Sequence, residues 1–169
     1  MDSKKKSQFI DYFSKGIKNL NQLKIGVEHE RFLFEGQNKK RISYVTLKKL
    51  FENLKVNGWE PLYEKENIIG MQRDDQQITT EPGLQCELSG APLENIHQVC
   101  SESSKFLKEI ETASKGFNIN TVSIGFDPFN NLPDIPQSPK SRYKIMTKEM
   151  PKGGKQSLEM MYRTCGIQI

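Results

Sequence analysis

Three short segments rich in apolar, β-branched and aromatic residues, 59–63, 68–72 and 77–88, follow one another with only the polar stretches 64–67 and 73–75 between them. Such separators fit hairpins, because parallel neighbours need crossover connections of about a dozen residues or more. The middle of the chain must therefore form antiparallel sheet, and the rest must cover it.

The flanking segments carry helical periodicity. Phe9, Tyr12, Phe13, Ile17 and Leu20 recur three or four residues apart and predict a helix with one apolar stripe. β-branched and aromatic residues predict a strand over 24–34, with a polar turn near 36–40. Thr46 is placed as the N-cap of a second helix, with Leu47, Leu50, Phe51 and Leu54 inward and Gly58 as its C-terminal glycine. After Pro92 a long helix is expected to end at Gly116, burying Leu93, Ile96, Val99, Ser103, Phe106, Leu107 and Ile110. Residues 121–126 read as a strand, 127–139 with four prolines as a loop, 142–150 as a short helix and 160–169 as a final strand. No repeat or linker divides the 169 residues, so one domain over 1–169 is expected.

Several functional classes fall away. The net charge of +4 is modest and lies in scattered lysine clusters such as 4–6 and 152–155, without the dense basic stripe and interleaved aromatics of a nucleic-acid module. No apolar run approaches the ~18 residues of a membrane span. Residues 1–6 are polar and lysine-rich with no apolar signal core behind them, so the cytosol is the expected compartment. Cys86, Cys100 and Cys165 are odd in number and far apart, which favours free thiols over a disulfide framework. Residues 153–157 only superficially resemble a phosphate loop, since Glu149 stands where its first glycine belongs and Gln156 where Ser or Thr should follow the lysine.

The chemistry begins at Gly26-Val27-Glu28-His29-Glu30. In a strand, residues two apart share a face, so Glu28 and Glu30 project together and His29 points away. Read as one strand with a bulge at Pro82, 80–89 repeats the pattern: Glu81, Gly83, Gln85, Glu87 and Ser89 on one face, Leu84, Cys86 and Leu88 in the core. If both strands share a sheet, four carboxylates line one cavity. Two such charges about 5 Å apart repel by roughly 3 kcal/mol at an effective dielectric near 20. Cations relieve that cost, and carboxylate oxygens suit Mg.

These segments also carry a resemblance. GVEHERFLF (26–34), TTEPGLQCELSGAPLEN (79–95), RYKIMTKEM (142–150) and MMYRTCGIQ (160–168) resemble, in order and spacing from about Leu23 onward, motifs of glutamate–cysteine ligases of the plant and proteobacterial type. The resemblance implies an α+β fold similar to glutamine synthetase, a curved, mainly antiparallel sheet flanked by helices, with metals and substrates on its concave face. It implies ATP and Mg as cofactors and L-glutamate and L-cysteine as substrates, with no nucleic acid or membrane partner; a homo-oligomer is compatible with it. In the implied reaction the γ-phosphoryl group of ATP passes to the glutamate side-chain carboxylate, and cysteine's amine attacks the acyl phosphate. By matching position, Glu28, Glu30, Glu81 and Glu87 would hold Mg, and Arg142 and Arg163 would bind carboxylate or developing phosphate charge as catalytic groups. Gln85, Thr164 and Gln168 would join both arginines in contacting substrate. Tyr143, Met160 and Met161 are assigned to packing.

The chain departs from the family pattern at Leu84, where a glycine is usual, at Cys86, where an aromatic is usual, and at Gly166, where threonine is usual. The family is also more than twice as long, so half a site is expected, with little ligation by the chain alone. Two alternatives stay open: another carboxylate–amine ligase of the same fold, and a non-catalytic remnant that binds an amino acid or a partner.

Overall fold

The computed structural model describes residues 3–169; Met1 and Asp2, part of the polar 1–6 stretch, lie outside the described residues. The fold is α+β. Eight strands, β1 (Glu28–Glu35), β2 (Lys40–Arg41), β3 (Glu60–Glu64), β4 (Asn67–Arg73), β5 (Gln76–Thr80), β6 (Cys86–Ser89), β7 (Ile119–Val122) and β8 (Ile167–Gln168), form one sheet among the described residues. Its order is β2-β1-β6-β5-β4-β3, with β7 and β8 also on β1, and every pairing is antiparallel. The hairpins expected from the short polar separators are β3–β4 and β4–β5. β1 is the hub: its first half pairs with β6 and β8 and its second half with β2 and β7.

The main core lies between the sheet and two helices, α2 (Tyr44–Leu54) and α3 (Ile96–Ala113), after α1 (Ser3–Lys15) in chain order. Leu47, Leu50, Phe51 and Leu54 of α2 are buried as their spacing predicts, and Gly58 adopts φ +82° after a closing 3-10 turn. The cap is Ser43 rather than Thr46: the Thr46 N–H donates to Ser43 Oγ at 3.2 Å, which places Thr46 one turn inside. α3 is capped by Asn95, so Pro92 precedes the helix instead of opening it. α3 buries Val99, Phe106, Ile110 and Ala113, whereas Ile96 is exposed in its first turn. It also buries Glu109, whose carboxylate accepts from Trp59 Nε1 at 2.8 Å and Arg73 Nη1 at 2.9 Å.

Three further expectations change. The first helix forms, but it ends at Lys15 and its apolar stripe has no partner among the described residues, with Tyr12 75% and Phe13 71% exposed. Residues 160–163 belong to a helix, α5 (Ser157–Arg163), and only β8 is strand, paired to β1. The strand expected over 121–126 begins earlier as β7 and stops at Val122; Phe126 makes a single bridge to Thr164. Among the described residues no helix is long and apolar enough to cross a membrane.

A second, smaller core of Ile135, Tyr143, Met161 and Tyr162 joins the proline-rich loop, α4 (Ser141–Glu149) and α5. It is fastened to the sheet by Arg41 and Asp127, whose side chains are both 0% exposed and meet at 3.3 Å. Arg41 also donates to the Tyr162 and Gly83 carbonyls and lies 4.3 Å over the Phe32 ring. Asp127 Oδ1 accepts the N–H groups of Phe129 and Asn130. The proline-rich segment is thus an anchored connection.

Two stability outcomes follow. Asp127→Ala leaves the Arg41 charge buried and unpaired, so it should cost about 3–5 kcal/mol, read as a lower urea midpoint with unchanged slope. Leu84 sits at φ +58° yet is fully buried. Leu84→Gly relieves about 1–2 kcal/mol of left-handed strain but removes a core side chain worth about 2–5 kcal/mol. Burial wins, and the variant should be less stable; a rise in midpoint would show that strain dominates.

Candidate active site

Four elements bring the carboxylates together. β1 and β6 pair so that Glu30 lies opposite Glu87 and Glu28 opposite Ser89. Residues 80–89 are not one strand. The chain reverses after Thr80, and β5 pairs back onto β6 with Thr79 opposite Glu87. The turn is built from Pro82, Gly83 and Leu84: the Glu81 N–H donates to Gln85 O at 2.8 Å and the Leu84 N–H to Glu81 O at 2.9 Å. Gly83 has no room for a side chain, since a Cβ would lie 2.7 Å from Tyr162 O. Residues 80–89 thus do not share one strand's parity, but the reversal still delivers Glu81 to the side of Glu87.

One oxygen from each of Glu30, Glu81 and Glu87 lies within 4.8 Å of the others, the sole such grouping of metal-ligating side chains among the described residues. Charges at that spacing repel by roughly 3 kcal/mol per pair at an effective dielectric near 20. Burial raises the Glu30 pKa, the Gly166 N–H at 2.5 Å opposes the rise, and the Glu87, Glu81 and Glu28 charges add to it. Burial and then Glu87 raise the Glu81 pKa, against Lys140, Tyr143 and Arg142. Hydroxyl donors temper the cluster: Thr79 Oγ1 to Glu81 and Glu87 at 3.3 Å, Ser89 Oγ to Glu87 at 3.1 Å, and Tyr143 OH to Glu81 at 3.0 Å. Three converging carboxylates, held in place by donors to their other lone pairs, are a donor set suited to a hard divalent cation.

Glu81 and Glu87 open on a cavity of about 490 Å³ also lined by Glu28, Glu64, Thr79, Lys140 and Arg142, among others, whereas Glu30 lines a neighbouring cavity of about 210 Å³ with Gly166 and Cys165. Glu28 belongs to the larger cavity but stands outside the triad, next to Gln168 across the β1–β8 pair. Arg142 reaches the cavity from α4, donates to Tyr143 OH at 2.7 Å and stands 3.9 Å from Glu81. Tyr143 is therefore more than packing: its hydroxyl links Arg142 to Glu81. Lys140, unremarked in the sequence, is 8% exposed and 4.0 Å from Glu81.

Other expected site residues lie elsewhere. Arg163 pairs with Glu159 at 2.7 Å and donates to the Asp127 carbonyl at 2.8 Å, so its fork is occupied away from the triad. Gln85 is buried; its oxygen accepts from the Gly83 N–H and its amide donates to Met161 O and Thr164 O, pinning α5 to the turn. Thr164 Oγ1 donates to Met160 O. Gln168 is exposed on β8. At Gly166 the backbone N–H donates to Glu30 Oε2 at 2.5 Å. His29 pairs with Leu88 and Ile167 and is absent from the triad. Cys86, Cys100 and Cys165 are free thiols, and burial pushes Cys86 and Cys165 up to about 12, leaving both protonated.

Comparison with known proteins agrees with the motif resemblance. Residues 24–169 match the family described as Glutamate-cysteine ligase family 2(GCS2). A chloroplastic glutamate–cysteine ligase of Medicago truncatula is 41% identical over 165 residues, 97% of this chain and 32% of the relative. The chloroplastic ligase of Nicotiana tabacum is 39% identical over 97% of the chain and 32% of its own length, and ligase A of Oryza sativa subsp. japonica 39% over 97% and 34%. The chain therefore spans about a third of the length of these relatives. All three are designated chloroplastic, which overturns the cytosolic compartment expected from the polar first residues. By sequence match over residues 24–169, the chain belongs to glutamate–cysteine ligase family 2.

Proposed function

We propose that this chain supplies the cation-binding part of a site that ligates L-glutamate, through its side-chain carboxylate, to the amine of L-cysteine with ATP and Mg. The observation that carries the reading is the Glu30–Glu81–Glu87 triad, two of whose carboxylates, Glu81 and Glu87, line a cavity that also holds two cationic side chains. Bound Mg would offset charge on the phosphate oxygens during phosphoryl transfer. Glu30, Glu81 and Glu87 would hold it. Glu28, one pleat away on the same face, stands where a second ion or the substrate amine would be received. Arg142 orients an oxyanion with its planar fork. Gln168, exposed on β8 opposite Glu28, would contact substrate. Arg163, Gln85 and Thr164 serve by fixing α5 and, through Gly166, the position of Glu30.

A second reading has one observation in its favour. The exposed apolar stripe of α1 suits a chain that docks onto another polypeptide, with or without turnover of its own. Because the relatives are about three times longer, the purified 1–169 chain should form little or no γ-glutamylcysteine from glutamate, cysteine and Mg-ATP; robust product by chromatography would contradict the partial-site reading.

The cation is tested directly by calorimetry. Mg should bind the purified chain at one principal site, and Glu87→Gln should weaken it at least about tenfold. The same substitution removes repulsion, so the metal-free chain should become more stable by on the order of 1 kcal/mol. Unchanged Mg affinity in Glu87→Gln would remove the triad from the proposal.

A further inference from the structure

Lys140 is the one buried cation of the cavity and has no hydrogen-bond acceptor among the described residues. Its side chain is 9% exposed, its nearest carboxylate oxygen is Glu81 Oε1 at 4.0 Å, and its ammonium lies 5.6 Å from the Tyr143 ring centre. The backbone on both sides is fixed. The Ser138 N–H donates to Pro82 O at 2.9 Å, Ser138 Oγ meets Thr80 Oγ1 at 2.9 Å, and the Ser141 N–H donates to Glu64 Oε2 at 2.9 Å. Those ties hold Lys140 at the cavity wall beside the triad.

An ammonium on a side chain this far out of water is favoured by a compensating negative charge. At 4.0 Å Glu81 compensates it only loosely. Once Glu81 turns its charge toward a divalent cation, as the reading above requires, Lys140 loses even that partner. The cavity then has a cationic wall formed by Lys140 and the 62%-exposed Arg142, with Glu64 and Glu28 the lining carboxylates outside the triad and Glu64 already held by the Ser141 N–H. We infer that Lys140 is a substrate-binding residue that holds an oxyanion, a carboxylate or a phosphoryl group, beside the cation on Glu81, so that cation and anion bind with positive cooperativity. The inference rests on the triad reading and adds the residue and the coupling. The lysine supplies three donors on a compact charge, which suits one oxygen of such a group. Arg142 completes the cradle as the planar, bidentate partner.

The experiment is calorimetric titration of the purified 1–169 chain with inorganic phosphate and, separately, with L-glutamate, each with and without saturating Mg, repeated for Lys140→Met and Lys140→Arg. Mg should tighten at least one anion by about fivefold or more, the usual scale of such coupling; which anion responds identifies the source of the oxyanion. Lys140→Met should weaken that anion at least about tenfold and reduce the coupling to within about twofold, while Lys140→Arg retains most of it. Mg affinity alone should be unchanged or tighter in Lys140→Met, because a neighbouring positive charge is gone. A merely structural lysine would instead weaken Mg and leave the coupling intact. The inference is overturned by that pattern, by anion affinity independent of Lys140, or by a wild-type chain that binds Mg but neither anion. Failure to bind Mg at all overturns the triad reading itself. Thermal unfolding checks each variant's fold, and Lys140→Gln replaces Lys140→Met if the latter does not fold.

Discussion

The buried ion pair of Arg41 and Asp127 is the tie on which the site depends. Arg41 stands on the two-residue strand β2, and Asp127 opens the proline-rich loop. Between them they gather the Gly83 carbonyl of the β5–β6 turn, the Tyr162 carbonyl of α5 and the backbone of residues 129–130. An ion pair out of water stabilises a fold only when its remaining donors and acceptors are also satisfied. Here most of them are, although Arg41 Nε has no partner. The consequence for chemistry is direct: by holding the turn and α5 against β1, the pair sets where Glu81 and the Gly166 N–H meet Glu30 and Glu87.

The triad itself works against the fold. Its carboxylates repel at their close spacing, and the pKa values of Glu30 and Glu81 are raised first by burial and then by that repulsion. Hydroxyl and amide donors from Thr79, Ser89, Tyr143 and Gly166 hold the oxygens in place without neutralising them. Such a cluster costs stability by its repulsion, and a divalent cation, as proposed, would relieve it. Lys140 belongs to the same balance, being near enough to moderate Glu81 and too far to replace a ligand.

Much of this was legible in residue order. The hairpin separators, the inward Leu47–Leu50–Phe51–Leu54 face and the shared face of Glu28 and Glu30 follow from local periodicity, which the tertiary structure leaves intact. The failures are places where distant contacts decide. Residues 80–89 alternate like one strand, yet Arg41 and Gln85 stabilise a reversal in their middle that includes a left-handed leucine. Residues 160–163 form a helix because Met161 and Tyr162 must both face the small core, which strand geometry would forbid. Arg163 looked like a free cation in a motif, but its partners, Glu159 and the Asp127 carbonyl, are only evident once the loop is folded back. Lys140 precedes a recognised arginine and resembles a surface lysine in sequence; its burial comes from ties to Pro82, Thr80 and Glu64 that no local pattern records. The apolar stripe of α1 was visible, but whether anything covers it was not.

The central claim is that Glu30, Glu81 and Glu87 form one divalent-cation site. Paramagnetic Mn, which favours the same oxygen ligands as Mg, tests it most directly in an isotope-labelled chain by NMR. The account predicts that substoichiometric Mn broadens the resonances of Glu30, Glu81, Glu87 and Thr79 first, that Mg competes the broadening away, and that Glu87→Gln suppresses it. Broadening centred on other acidic residues, or broadening at the triad that survives Glu87→Gln unchanged, would contradict it.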